Sequence, residues 1–300
     1  MLRRLWIFLA ILMATQALPA LTAPAAEGTK LELQFKEGDT FFVETTDNTK
    51  QSVDILGMKH DTDSESVTVT RFKVLKADKD ETVIERRIES IKNKSVSGLP
   101  GAVDKIMDAM KGQTFKMTLN AKGEVTKLEG YEEFMKKLGT DNDATTKLLK
   151  SFMSEETLKE SAAEIFAFLP DKPVSKGDTW KRSKSVSLGP LGSLKGDSSF
   201  TFKGTGKDGE EIAVEQSMAY SPPKEDDGAA GFKISKGEMK SEKSGGTIIF
   251  DASKGRPVRT ESSMKMKGSL TIDVMGTVTT LNLDMQQTSK SRVSDKSPLD

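Results

Sequence analysis

The feature that most constrains this chain is a period of two. Met264 and Met266 alternate with Lys265 and Lys267. Leu270, Ile272 and Val274 alternate with Thr271 and Asp273, and Leu281, Leu283 and Met285 with Asn282 and Asp284. Residues two apart share one face of a strand, so each run has one wet face and one covered face, as in antiparallel sheets. Val67, Val69 and Phe72 sit near alternate positions. Val83, Arg87 and Ile91 hold one parity and Ile84, Arg86 and Ile88 the other, a less clean strand.

A repeated phrase organises these strands. Lys36 to Phe42 reads K-E-G-D-T-F-F, and Ser175 to Lys181 reads S-K-G-D-T-W-K. Gly38 and Gly177 permit a positive φ, and Asp39 and Asp178 can accept from nearby backbone N–H groups. Threonine and an aromatic then open a strand, where both are favoured. The phrase therefore marks a loop ending and a strand beginning, rather than a ligand or an acid catalyst. After each copy the order agrees: strand, Leu-Gly turn, strand, charged turn (Ala77–Asp80, Gly206–Gly209), strand. Each half later has a strand, a Lys-Gly turn and a returning strand, over Phe115–Leu128 and Thr247–Thr260. Two copies of one β-meander are expected. The Leu-Gly element recurs once more, as Ile272 to Gly276 beside Val53 to Gly57.

Helical spacing appears between the copies. Val103, Ile106, Met107 and Met110 repeat within Pro100–Lys111. Tyr131–Leu138 stops at Gly139, and Asp143–Met153 brings Leu148, Leu149 and Phe152 together. Ser154 reads as an N-cap with Glu155 and Glu156 in the first turn, followed by a stripe of Leu158, Ala162, Ile165, Phe166 and Leu169 that ends at Pro170. Such stripes need a partner surface, and the covered face of the sheet needs one too. The expected fold is α+β: a large curved antiparallel β-sheet, half-barrel-like, built from two duplicated meanders with helices on its concave face. The organisation is a signal peptide at 1–26, a first meander over 27–128 with an inserted helix at 100–111, and a helical connector over 129–171. A second meander covers 172–293, and a polar tail covers 294–300.

The address is read from the first residues. Arg3 and Arg4 precede an apolar run from Leu5 to Met13, and Ala23-Pro24-Ala25 supplies a small-residue cleavage site, after Ala25 or Ala26. That run is too short to span a bilayer, which takes about 20 apolar residues. It reads as a secretory signal, placing the protein in the periplasm or outside the cell with no transmembrane segment after cleavage. The chain has no cysteine, which excludes disulfides, a lipidated N-terminal thiol and thiolate chemistry. Without Arg3 and Arg4 it carries two more acidic than basic side chains, and no basic patch with interleaved aromatics points to nucleic acid. Charged residues make up 30% and aromatics 6%, which implies a well-solvated surface over a thin, aliphatic, methionine-rich core.

Chemistry is sparse. The one histidine, His60, sits in Lys59-His60-Asp61-Thr62-Asp63, read as a polar turn. A single histidine builds no multi-histidine metal site, and no G-x-S-x-G elbow presents a serine to it. Asp141-Asn142-Asp143 lacks the glycine and glutamate of a calcium loop. Gly204-Thr205-Gly206-Lys207 joins two strands and offers no helix N-terminus to a phosphate. No catalytic, cofactor-binding or metal-binding residue is assigned, and no cofactor is expected.

With K-x-G-D-T-[FW], alternating strands and the later strand-Lys-Gly-strand hairpin, the chain resembles a family of uncharacterised exported bacterial proteins common in planctomycetes, of unknown function. Its layout is similar to periplasmic lipoprotein-carrier and lipid-binding half-barrels, in architecture alone. Three functions compete. One is a non-catalytic envelope protein holding a lipid or other apolar molecule between sheet and helices, lined by Ile106, Met107, Met110, Phe166, Met264, Met266 and Met285. A second is a structural or protein-interaction module with an envelope protein partner. The third is a carboxylate-dependent hydrolase, which acid pairs alone do not identify.

Overall fold

The computed structural model describes residues 28–95, 107–138, 153–163, 165–223, 232–274 and 276–300. The expected signal peptide at 1–26, most of the expected helix at 100–111 and the stretch 143–152 lie outside them. Residues 107–110 are helical, as the spacing predicts. Two further helices are α1 (Tyr131–Leu138) and α2 (Glu155–Ala163). The strands are β1 (Thr40–Ile55), β2 (Met58–Ala77), β3 (Glu81–Ser95), β4 (Thr114–Asn120), β5 (Val125–Glu129) and β6 (Thr179–Ser187). They continue as β7 (Ser193–Thr205), β8 (Glu210–Ser221), β9 (Lys233–Ser241), β10 (Ser244–Asp251), β11 (Arg256–Val274) and β12 (Thr277–Ser294).

All twelve strands join one antiparallel sheet, in the order β5-β4-β3-β2-β1-β12-β11-β10-β8-β7-β6, with β9 running on from β10 between β11 and β8. The chain starts in the middle, meanders out to β5, crosses by the helices to the far edge at β6, and meanders back. Laid flat at about 4.8 Å per strand, the edges β5 and β6 would stand about 48 Å apart. Yet α2, about 13 Å long, comes within 8 Å of both edge strands, Cα to Cα. The sheet is therefore rolled. It is not a closed barrel, because β5 and β6 do not pair with each other.

The helix serves the seam it occupies. Ser154 caps it as expected, its hydroxyl accepting from Thr157 N at 3.2 Å. Glu160 Oε2 accepts from Ser187 N on β6 at 3.0 Å, giving an edge donor a partner. Asp171 ties the two sides together, with Lys122 of the β4–β5 turn at 3.1 Å and Arg182 of β6 at 3.1 Å.

The helix expected to run to Leu169 stops at Ala163. Beyond it Phe166 N and Ala167 N both return to Ala163 O, and Phe168 N turns to Phe166 O. The break sends two phenylalanines to different places. Phe166 stands edge-on to Phe72 at 6.0 Å, whereas Phe168 meets Phe250 at 5.9 Å and Phe200 at 6.4 Å. A continuous helix would hold Phe166 and Leu169, three apart, on one side, whereas here Leu169 joins the cluster of Phe168.

Both G-D-T-[FW] phrases fold alike. Gly38 and Gly177 have φ of 89° and 95°. Asp39 Oδ2 accepts from Lys36 N at 3.0 Å, and Asp178 Oδ2 from Ser175 N at 2.8 Å. Gly38 N donates to Val74 O and Gly177 N to Phe202 O. The likeness continues along the chain. Phe41 stacks on Phe72 at 5.1 Å, and Trp180 on Phe200 at 5.6 Å. A bulge follows Val74 on β2 and Phe202 on β7. The next turns close with Asp78 N to Glu81 O and Gly206 N to Gly209 O. The turn, ring stacking and bulge of β1, β2 and β3 thus recur at β6, β7 and β8; β12 lies between a first set of strands, β1 to β5, and a second, β6 to β11, and α2 sits at the other junction.

His60 lies within β2, exposed and opposite Val53, not in a turn. The turn is Leu56-Gly57, closed by Gly57 N to Asp54 Oδ1 at 2.9 Å. The tail is more than polar: Asp295 pairs with Lys254 and with the buried Arg256.

Candidate functional site

The pairing register puts the covered-face residues in three tiers. At one end lies a phenylalanine core. Phe41, Phe72, Phe115, Met117 and Leu119 from the first set of strands pack with Phe134 and Leu138 of α1, Leu158 and Ala162 of α2, and Phe166. A second cluster continues it with Leu31, Phe168, Phe200, Phe202 and Phe250. Leu33 packs against both. Each phenylalanine, leucine and methionine among them buries enough apolar area to stabilise the fold by about 2 kcal/mol before entropy is counted.

Above it the same face turns polar. Thr45, Asp47 and Thr49 of β1 lie beside Ser291, Ser289 and Gln287 of β12 and Thr68, Ser66 and Ser64 of β2. Thr45 and Ser291 share a hydroxyl hydrogen bond of 2.9 Å.

The far end is apolar again and different in kind. Leu194 of β7, Met218 of β8, Met239 of β9 and Met266 and Leu270 of β11 are buried together. Met264, Ile272, Leu283, Met285, Tyr220, Val186 and Leu188 are half-buried against them. Five methionines thus converge from four strands, and among the described residues no side chain of α1 or α2 joins them. Thioethers are soft and adopt many rotamers, so such a face fits irregular apolar shapes. One polar group is set into it. The Tyr220 hydroxyl is buried without a hydrogen-bond partner, and burial pushes its pKa up. Its ring lies against Gly237, where a Cβ would come within 2.1 Å of it.

The seven residues expected to line a ligand are divided by the structure. Met264, Met266 and Met285 come together at the methionine end. Met110 packs on the phenylalanine core and Phe166 is fully buried inside it. Met107 is half-buried and belongs to neither cluster, and Ile106 lies outside the described residues. Met218, Met239 and Tyr220 were missed. Met218 and Tyr220 stand two apart in Q-S-M-A-Y, an alternation that could have found them.

Elsewhere the chemistry is thin. An open groove of about 800 Å3 runs over the β9–β10 break, lined by Lys181, Asp197, Ser199, Glu215, Ser217 and neighbouring serines and glycines. Its lining residues are charged, amide, serine or glycine and include no aromatic ring. Among the described residues no group of three His, Asp or Glu could hold a metal, and no helix is long and apolar enough to cross a membrane.

The rolled sheet is similar to several solved structures. A lipovitellin structure, titled for lipid–protein interactions, matches 88% of this chain at 6% identity with a TM-score of 0.45. The match covers 26% of the lipovitellin chain, so this protein spans about a quarter of it. The outer membrane protein OprG of Pseudomonas aeruginosa matches at 7% identity and TM-score 0.21, over 87% of this chain and 99% of its own. The translocator domain of the autotransporter NalP of Neisseria meningitidis matches at 8% identity and 0.22, over 87% and 90%. These scores carry no functional argument. The outward face of this sheet bears Glu44, Lys50, Asp63, Lys265, Lys267, Asp284, Lys290 and Arg292, which suits water and not acyl chains. No curated protein matches the chain. Residues 66–257, from the middle of β2 to the start of β11, match one family model, and the chain belongs to that family, a family of unknown function (DUF6263).

Proposed function

We propose that this is a non-catalytic exported protein of the cell envelope that holds a lipid or similar apolar molecule on its methionine face. In this reading the two corresponding sets of strands are duplicated meanders, the helices lie on the concave side, and the segment at 1–26 directs export. The observation that carries it is the convergence of Met218, Met239, Met264, Met266 and Met285 on one covered face with no packed helix among the described residues. The phenylalanine end is filled by α1, α2 and Phe166, which leaves the methionine end to receive a guest. Ligand sites are mostly apolar with a few placed polar groups, and Tyr220 is such a group.

The test is displacement of a fluorescent long-chain probe from purified full-length protein, with native mass spectrometry of envelope-derived material. Binding at micromolar concentration is expected, and Met264→Ala with Met285→Ala should weaken it about tenfold through lost contact area. Empty protein from the envelope and no probe uptake would overturn the reading.

A second reading has its own observation. The β1–β2 and β11–β12 hairpin tips lie side by side, since Ile55 pairs with Leu281. Their turns close alike, Gly57 N on Asp54 and Gly276 N on Asp273. Leu56 at 77%, Met58 at 61% and Val278 at 61% are exposed there. An envelope protein docking on these tips would make the chain an interaction module. A photocrosslinker at Leu56 that captures one protein in vivo favours this reading, and capture of lipid alone favours the first.

A further inference from the structure

We infer that Arg86 is the recognition group of an oxyanion site on the covered face, binding the carboxylate or phosphate of a ligand whose apolar part lies outside the filled phenylalanine core. Arg86 lies on β3 with Phe72 as its Cα partner on β2 and Phe115 on β4. Its neighbours on the same face of β3 are Ile84 and Ile88, both essentially unexposed, as are the two phenylalanines. The guanidinium therefore projects from an apolar floor.

Its isolation is specific. Four described arginines are not fully exposed. Arg71 has Glu85 at 3.2 Å and Glu89 at 3.1 Å, Arg182 has Asp171 at 3.1 Å, and Arg256 has Asp295 together with the Phe41 ring at 4.5 Å. Among the described residues no carboxylate pairs with Arg86. Burial alone lowers its pKa to about 10, so it remains a cation at neutral pH with its charge uncompensated. A guanidinium held against apolar side chains with no carboxylate to pair with is poorly compensated, and a bound anion offsets that cost. Arginine's planar fork suits carboxylate and phosphate.

The second set of strands supplies an internal control. Val214 of β8 holds the corresponding place, with Phe200 on one side and Gly246 on the other. An apolar residue is thus sufficient to build this part of the sheet, and the arginine answers to something besides packing. The residue is half-buried and not sealed, so an anion can reach it.

The experiment uses the full chain, stripped of bound lipid, and its Arg86→Val variant, which installs the residue of the second set. Four probes are titrated: dodecanoate, dodecanol, acetate and inorganic phosphate. Dodecanoate is expected to bind about tenfold more tightly than dodecanol, from a charge-assisted hydrogen bond. Arg86→Val should bind both alike and melt no lower than the parent without ligand. Arg86-dependent binding of acetate or phosphate at similar strength also supports the site and assigns it to small anions. Equal binding of dodecanoate and dodecanol by the parent with no response to either small anion, or an undiminished preference in Arg86→Val, overturns it. Dodecanol binding without any anion preference sinks this inference and leaves the methionine-face reading standing. Anion binding without uptake of either twelve-carbon chain does the reverse.

Discussion

At the residue scale, the two strand-entry aspartates do one job with one geometry. Each side chain accepts from the backbone three residues before it, and each following strand starts at a threonine. Asp39→Ala and Asp178→Ala should therefore cost about the same, roughly 1 kcal/mol each, by loss of a local cap-like hydrogen bond. Chemical denaturation of the two variants checks this, and a large difference between them would deny the equivalence of the turns. Tyr220 makes the opposite prediction. Its hydroxyl is buried with no partner, so Tyr220→Phe should leave the empty protein as stable or up to about 1 kcal/mol more stable. A clear loss of stability would mean that the hydroxyl is held by the protein itself.

At the scale of elements, the break after α2 matters more than the helix. Phe166 and Phe168 are two residues apart and lock into separate clusters. Phe166→Ala and Phe168→Ala should each destabilise by about 3–5 kcal/mol, and nearly additively, because they share few partners. Calorimetry on the single and double variants measures both points. The seam has a pH signature. Hydrogen bonds from Lys122 first and Arg182 next hold the Asp171 carboxyl below its usual range. A depressed carboxylate stabilises above its unfolded pKa, and that stabilisation is lost as pH falls through the folded value. Asp171→Asn should be slightly less stable than the parent at neutral pH and lose less on acidification, the two converging below about pH 4, as melting temperatures across that range would show.

These elements also mark what the sequence could carry. Alternation and turn phrases are local, so the strands, the Lys-Gly hairpins and the Ser154 cap were legible. The end of α2 was not, because an i, i+3, i+4 stripe through Leu169 looks the same whether the last turn is helical or splayed between two clusters. His60 was misplaced because Leu56-Gly57 closes a tight turn and the polar residues after it are already in strand. The site was half legible. Met264, Met266 and Met285 share one hairpin and could be read together, whereas Met218 and Met239 join them only through pairing of distant strands.

At the scale of the whole molecule, a meander that starts in the middle of its own sheet leaves two edges far apart along the chain. Rolling brings them to one helix, whose Glu160 takes an edge donor and whose apolar side joins the phenylalanine core. That closure fills one end of the interior and leaves the methionine face at the other, so container and site follow from one geometry. The chain has no cysteine, so a single pair can be introduced for spin labels at Lys127 on β5 and Lys181 on β6, both exposed. Pulsed electron–electron resonance between them should give one narrow distribution centred below about 30 Å, with the edges on either side of a helix about 10–12 Å wide. A distribution near the roughly 48 Å of an unrolled sheet would contradict the account.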